Sequence, residues 1–172
     1  MPHKSQKNAA ETSAPVRSPW GVFTLFASEH GVTRLEFPGE AGKAGLVKPS
    51  PAQARILALA KAKLENYFSG KKENFSGLKF DLGKLTDFEQ SVLRTLSKLE
   101  SKESVSYSAL ASLAGKPRAA RAVGGAMRKN PLPVLIPCHR VFAAGGGLGG
   151  YSKGLDWKRR LLKLENFVIP AK

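Results

Sequence analysis

The apolar periodicity of the chain changes around Gly83, and this change limits the fold more than any other feature. Before it, apolar residues alternate over Trp20 to Ala27 and over Val32 to Phe37, with Ser28-Glu29-His30-Gly31 between the runs. Alternation puts successive side chains on opposite faces of an extended backbone, so the two runs predict a β-hairpin. Pro38 to Pro49 is a Gly- and Lys-rich loop. Ser50 reads as an N-cap with Pro51 at the first helical position. Ile56, Leu57, Ala60, Leu64, Tyr67 and Phe68 follow at helical spacing, and Gly70 closes the helix. Leu78, Phe80 and Leu82 alternate with Lys79 and Asp81 and predict a third strand.

Past Gly83 the pattern is helical. Thr86 and Glu89 have capping-box spacing, and Phe88, Val92, Leu96 and Leu99 form one apolar stripe. Ser106 can cap a short helix through Leu113, closed by Gly115. Pro117 can open the next helix, which runs to about Lys129 before Asn130-Pro131 ends it. Two short helices joined by a tight glycine-containing turn match the helix-turn-helix plan, with 117–129 as the recognition helix. Gly124 and Gly125 lie inside that helix, where each costs about 1 kcal/mol relative to Ala. Close packing on a neighbouring helix and close approach to a nucleic-acid groove both account for them. A final helix spans Leu155 to Glu165, with Trp157, Leu161 and Leu164 facing inward.

The expected fold is α/β with two small domains. Residues 20–83 form an N-terminal three-stranded antiparallel sheet with a helix. Residues 84–172 form a mostly helical C-terminal domain with a helix-turn-helix. Residues 1–19 carry Ser, Pro, Ala and Lys without an apolar core; they predict a disordered basic tail, not a secretory signal.

Charge narrows the partners. The chain carries 28 Lys and Arg against 13 Asp and Glu, a net +15 that attracts nucleic acid or an acidic membrane face. No run of apolar residues is long enough to cross a bilayer, so a soluble cytoplasmic protein is expected, or a nuclear one in a eukaryote. From Ser104 to Leu155 there is no acidic residue, while Lys116, Arg118, Arg121, Arg128, Lys129, Arg140 and Lys153 all fall there. A solvated basic surface without a partner accounts for charge alone equally well.

The single cysteine excludes an internal disulfide and a cysteine-cluster zinc site. His3, His30 and His139 are far apart, so no metal is expected. Cys138 sits in Pro137-Cys138-His139-Arg140. A thiolate attacks carbon electrophiles, and an adjacent base or cation favours it. A lone cysteine is more often a buried structural side chain, but four such residues in a row are more specific. Glu165 lies in the last turn of its helix, where its charge opposes the helix dipole. It either pairs with Lys163, Arg159 or Arg160 at the surface, or orients His139.

Pro137-Cys138-His139-Arg140-Val141 resembles the active-site motif of the O6-alkylguanine-DNA alkyltransferases. Arg121-Ala122-Val123-Gly124-Gly125-Ala126-Met127-Arg128 and Asn130-Pro131 resemble the family's recognition helix and asparagine hinge. Ser104-Val105-Ser106-Tyr107, Leu148-Gly149-Gly150-Tyr151-Ser152 and Leu161-Leu162-Lys163-Leu164-Glu165 resemble its helix-turn-helix entry, active-site loop and closing helix. Trp20-Gly21 and Phe37-Pro38-Gly39 resemble its variable N-terminal domain.

The resemblance implies direct-reversal repair: irreversible, single-turnover transfer of an alkyl group from O6-alkylguanine, with O4-alkylthymine as a second candidate lesion, to Cys138. It implies that His139 takes the thiol proton through a water, that Glu165 holds the imidazole, that Asn130 braces the motif, and that Tyr107 supplies a proton to the leaving base. It implies double-stranded DNA as partner, bound through the minor groove with the base flipped out, by Ser106, Arg121, Gly125, Ala126 and Arg128. The pocket it implies is walled by Tyr107, Met127, Pro133, Val141, Tyr151 and Ser152. It implies a monomer, no cofactor and no membrane. This sequence departs from the pattern at Glu89 and Leu93, where family members often carry Gln and an aromatic, and at Lys153, which borders the pocket. Some members hold zinc in the N-terminal domain; no cysteine stands there in this chain.

Overall fold

The computed structural model describes residues 10–40 and 47–168. The chain divides into two units: one holds the residues up to Lys71 with Phe75–Lys84, the other Lys72–Asn74 and everything from Leu85 onward.

In the first unit three strands, β1 (Thr12–Ser18), β2 (Gly21–Ala27) and β3 (Val32–Glu36), form an antiparallel sheet in that order. Two expectations are corrected. Residues 12–18 are a strand, not a disordered tail; residues 1–9 of that tail lie outside the described residues. Pro15 hides the strand in the sequence, but β1 is an edge, where a residue without an N–H is tolerated. Leu78 to Leu82 is not a strand of the sheet. It forms an isolated bridge with Val32: the Val32 N–H donates to the Lys79 carbonyl at 2.8 Å and the Asp81 N–H to the Val32 carbonyl at 2.9 Å.

The helix α1 (Pro51–Phe68) covers this sheet. Ser50 and Gln53 form a reciprocal capping box ahead of Pro51. Leu57, Ala60, Leu64, Tyr67 and Phe68 are buried, and Phe68 stacks on Phe23 of β2 with ring centroids 4.6 Å apart. The segment 41–46, within the expected loop after Phe37, lies outside the described residues.

The second unit begins with α2 (Asp87–Leu96), capped reciprocally by Thr86 and Glu89. Val92, Leu93 and Leu96 are buried while Phe88 and Leu99 are half-buried. Leu93 thus takes a core position that the expected stripe left out. The short strand β4 (Val105–Ser106) leads into α3 (Tyr107–Leu113), whose first turn is capped by the Ser106 hydroxyl. Then α4 covers Ala120–Arg128. It starts three residues later than Pro117 suggests, at an Ala119 that offers no capping side chain. It packs on both α3 and α2. A single 3-10 turn, Cys138–Arg140, precedes β5 (Val141–Phe142), which pairs in parallel with β4. The chain closes on α5 (Leu155–Leu164). Its inward face is Lys158, Leu161 and Leu162; Trp157 and Leu164 are only half-buried. Among the described residues no helix is long and apolar enough to cross a membrane.

Candidate active site

Asn130 builds the loop that presents Cys138. Its Oδ1 accepts the Leu132 N–H at 3.0 Å, and its Nδ2 donates to the Ile136 carbonyl at 3.0 Å and to Cys138 Sγ at 3.1 Å. One buried amide therefore folds back the chain after α4 and aims a donor at the sulfur. The pairing of β5 with β4 then brings Val141 beside Val105, and so the cysteine turn beside Tyr107 at the start of α3.

Behind the thiol, His139 is fully buried and its Nε2–H donates to Glu165 Oε1 at 2.7 Å. A carboxylate acceptor selects the tautomer with hydrogen on Nε2, which leaves the Nδ1 lone pair free to act as a base. Nδ1 is buried without a hydrogen-bond partner among the described residues. Glu165 also binds Arg140, through Nε at 2.8 Å and Nη2 at 3.0 Å, while Arg140 Nη1 donates to the Glu100 carbonyl at 3.1 Å. The carboxylate at the end of α5 is thus turned to His139 and Arg140.

These contacts set the charges. Burial pushes the Glu165 carboxyl up, but the hydrogen bonds and charges of His139 and Arg140 outweigh it and hold the group at about 2. Burial holds His139 below the usual imidazole range against the pull of Glu165, so the ring is neutral and basic. Burial also pushes the Cys138 thiol above its usual range, and the Asn130 amide and the Lys158 charge act against it. Sequence adjacency suggested that His139 and Arg140 would activate the thiol directly. In the structure Arg140 is spent on Glu165, and the resting thiol is protonated.

A cavity of about 670 Å³ opens on Cys138. Tyr107, Met127, Tyr151 and Ser152 line it, and so do Arg121 and Arg128. Ala120, Gly124 and Gly150, which were not among the expected pocket residues, line it too. Pro133 and Val141 do not line it: both are buried, Val141 within β5 where it pairs with Val105 of β4. Ala126, expected at the DNA surface, is 1% exposed and faces the core. Gly125 faces open space, since an added Cβ would meet nothing within 4 Å, and at Gly124 it would make only ordinary contact with the Tyr107 ring. Close helix packing therefore does not account for the glycine pair. Ser106 spends its hydroxyl on the cap of α3, where it accepts the Ala109 N–H at 3.1 Å.

Two further charges make contacts that the sequence pattern does not show. Glu89, the departure noted in α2, closes the capping box with one oxygen and takes Lys129 Nζ at 2.6 Å with the other, fastening α2 to the end of α4. Lys158 is fully buried, and its Nζ donates to the Val141 carbonyl at 2.6 Å and to the Leu148 carbonyl. Its spacing to Leu161 and Leu162 puts it on the inward face of α5, a signal that its charge obscures.

Geometry of this kind defines a class: proteins in which a buried thiol becomes a nucleophile under a neutral imidazole base. Comparison with known proteins narrows it. Residues 87–167 match the model of the 6-O-methylguanine DNA methyltransferase DNA binding domain, and residues 14–82 match that of the 6-O-methylguanine DNA methyltransferase ribonuclease-like domain. A methylated-DNA–protein-cysteine methyltransferase of Methanosarcina barkeri is 41% identical over 152 residues, covering 87% of this chain and 94% of that protein. The protein of the same name from Homo sapiens is 40% identical over 159 residues, covering 86% of this chain and 77% of its own length. The crystal structure of Mycobacterium tuberculosis OGT in complex with DNA superposes with a TM-score of 0.74 at 35% identity, covering 90% of this chain and 91% of that one. The chain belongs to the 6-O-methylguanine DNA methyltransferase family.

Proposed function

We propose that this chain repairs DNA directly, by moving the alkyl group of O6-alkylguanine onto Cys138, once per molecule. The observation that carries the reading is the floor of the cavity. There Sγ faces the Asn130 amide at 3.1 Å, and the adjacent imidazole is held by Glu165 at 2.7 Å with its second nitrogen free. His139 Nδ1 takes the thiol proton through a water. The sulfur then attacks the alkyl carbon, the S–C bond forms, and the C–O6 bond breaks with its electron pair passing to the guanine. Tyr107, half-buried and kept protonated by that burial, supplies the proton that leaves the base neutral. The product is a thioether, a poor leaving group, and the chain has no second cysteine to remove it. The thiol is itself the acceptor, so the step calls for no cofactor. O4-alkylthymine presents the same electrophilic carbon and is a second substrate of this reading.

An alkyl carbon stacked inside a duplex is out of reach of a thiol at the floor of a cavity, so the base is flipped out. The α3–α4 pair acts as the helix-turn-helix and lays the open face of Gly125 in the minor groove. Arg121, on the cavity lining, fills the gap in the stack. The chain acts as a monomer, in the cytoplasm or nucleus. Intact-mass measurement after exposure to O6-methylguanine duplex tests the reading: one methyl per chain, mapped to Cys138, is expected. Continued turnover in excess substrate, or a methyl on any other residue, refutes it.

A further inference from the structure

The stretch 116–129 presents five cations, Lys116, Arg118, Arg121, Arg128 and Lys129, and all are exposed. Among the described residues, Lys129 alone of the five makes an ion pair, with its Nζ 2.6 Å from Glu89 Oε1. Arg121 and Arg128 line the cavity, and Lys129 follows them at the end of α4. The exception is thus the last cation of the helix that borders the site.

The carboxylate comes from another helix and is fixed in advance. Glu89 is 8% exposed, in the first turn of α2. Its Oε2 accepts the Thr86 N–H at 3.0 Å, and its own N–H donates to Thr86 Oγ1 at 3.3 Å. This reciprocal cap leaves Oε1 to Lys129. Exposed ion pairs are weak in part because two long side chains must be ordered. Here the cap has ordered the acid, and only the lysine remains to be held. A negative charge is also favoured at the N-terminus of α2. The Lys129 ammonium and the Thr86 N–H hold the Glu89 carboxyl below its usual range, so it is ionised at neutral pH.

A cation that meets a phosphate releases condensed counterions and so adds to duplex affinity. The charge of Lys129 is already neutralised, and a phosphate would have to displace the carboxylate to use it. We propose that Glu89 masks Lys129 from the DNA backbone and so limits the affinity of α4 for duplex of any sequence. Phosphate contacts position a protein without reading the base. One contact fewer therefore shortens its stay on damaged and undamaged DNA alike, and the choice of lesion is left to the cavity. This rests on the reading of α3–α4 as the DNA-binding pair.

The test uses the full chain and an undamaged duplex, titrated across a range of salt. Glu89→Gln keeps an oxygen for the Thr86 N–H and removes only the charge; thermal melting checks that it folds. Unmasking Lys129 should steepen the plot of log affinity against log salt by about 0.9, so the variant's gain shrinks about eight-fold over a tenfold rise in salt. Lys129→Ala should leave the wild-type slope unchanged, yet cancel the steepening when combined with Glu89→Gln. Glu103→Gln, which removes an exposed carboxylate elsewhere in the same unit, should not steepen the slope. An unchanged slope in folded Glu89→Gln overturns the proposal, and so does equal steepening in Glu103→Gln, which would make net charge the cause. Lys129→Ala needs no change at the cap: if it alone lowers the wild-type slope by about 0.9, the lysine already meets a phosphate and the masking is refuted. Equal slopes in proteins that all bind duplex overturn this inference alone. Failure of every protein to bind duplex overturns the proposed function and this inference with it.

Discussion

At Glu165 one carboxylate serves two bases, and its protonation is linked to stability. Held at about 2 in the folded chain against 4.5 unfolded, it contributes stability that is complete above about pH 4.5 and is lost as pH falls toward 2. Glu165→Gln should therefore destabilise the protein at neutral pH by on the order of 3 kcal/mol, since it also leaves Arg140 buried without its anion. Urea titrations of both proteins across acid pH check this: the gap should close below pH 4.5, and a constant gap would count against the linkage. Cys138→Ser should still bind duplex DNA but accept no methyl, because the serine hydroxyl is a far weaker nucleophile at neutral pH. Gel-shift and intact-mass measurements read the two properties separately. The Cys-His-Arg run is visible in the sequence, but the partners of Glu165 are not. The choice between His139 and the lysine and arginines of its own helix depended on which way the end of α5 faces.

Among the elements, α4 makes the sharpest prediction. Gly125 faces open space, so Gly125→Ala should leave the fold intact and stabilise it by up to about 1 kcal/mol from helix propensity alone. The added methyl should weaken duplex binding, because it stands where the minor groove would approach. Thermal melting and a duplex binding titration should move in opposite directions; tighter binding would rule out this face. On α2, Thr86→Ala removes the hydroxyl that accepts the Glu89 N–H, at a cost of about 1 kcal/mol in denaturant. The helices were legible because caps and apolar spacing are local signals. Strand β1 was not, because Pro15 and the polar residues around it read as tail, and its partner β2 supplies the ladder that makes it a strand.

For the whole molecule, the acid-free stretch of the second unit gives a measurable consequence. Lys116, Arg118, Arg121, Arg128 and Lys129 are exposed, whereas Arg140 is withdrawn into the Glu165 pair. Duplex affinity should fall log-linearly with salt, with a slope set by the exposed cations that meet phosphates. Replacing Arg128 by Ala should reduce that slope by about one, as one phosphate contact is lost. An unchanged slope would place Arg128 off the DNA.

Residue order alone determined the Cys-His-Arg motif, the helices, the division into two units and the excess of positive charge. Each of these is carried by neighbours within a few positions of one another. Tertiary structure decided what depends on distant segments meeting. It took Arg140 away from the thiol and gave it to Glu165, turned Ala126 inward and Gly125 outward, and added residues 12–18 to the sheet. It also buried Lys158, whose charge hid its place on the inward face of α5, against two carbonyls beside the cysteine turn. Burial is a property of the packed chain, and burial shifts the proton affinity of Cys138, His139 and Lys158 alike.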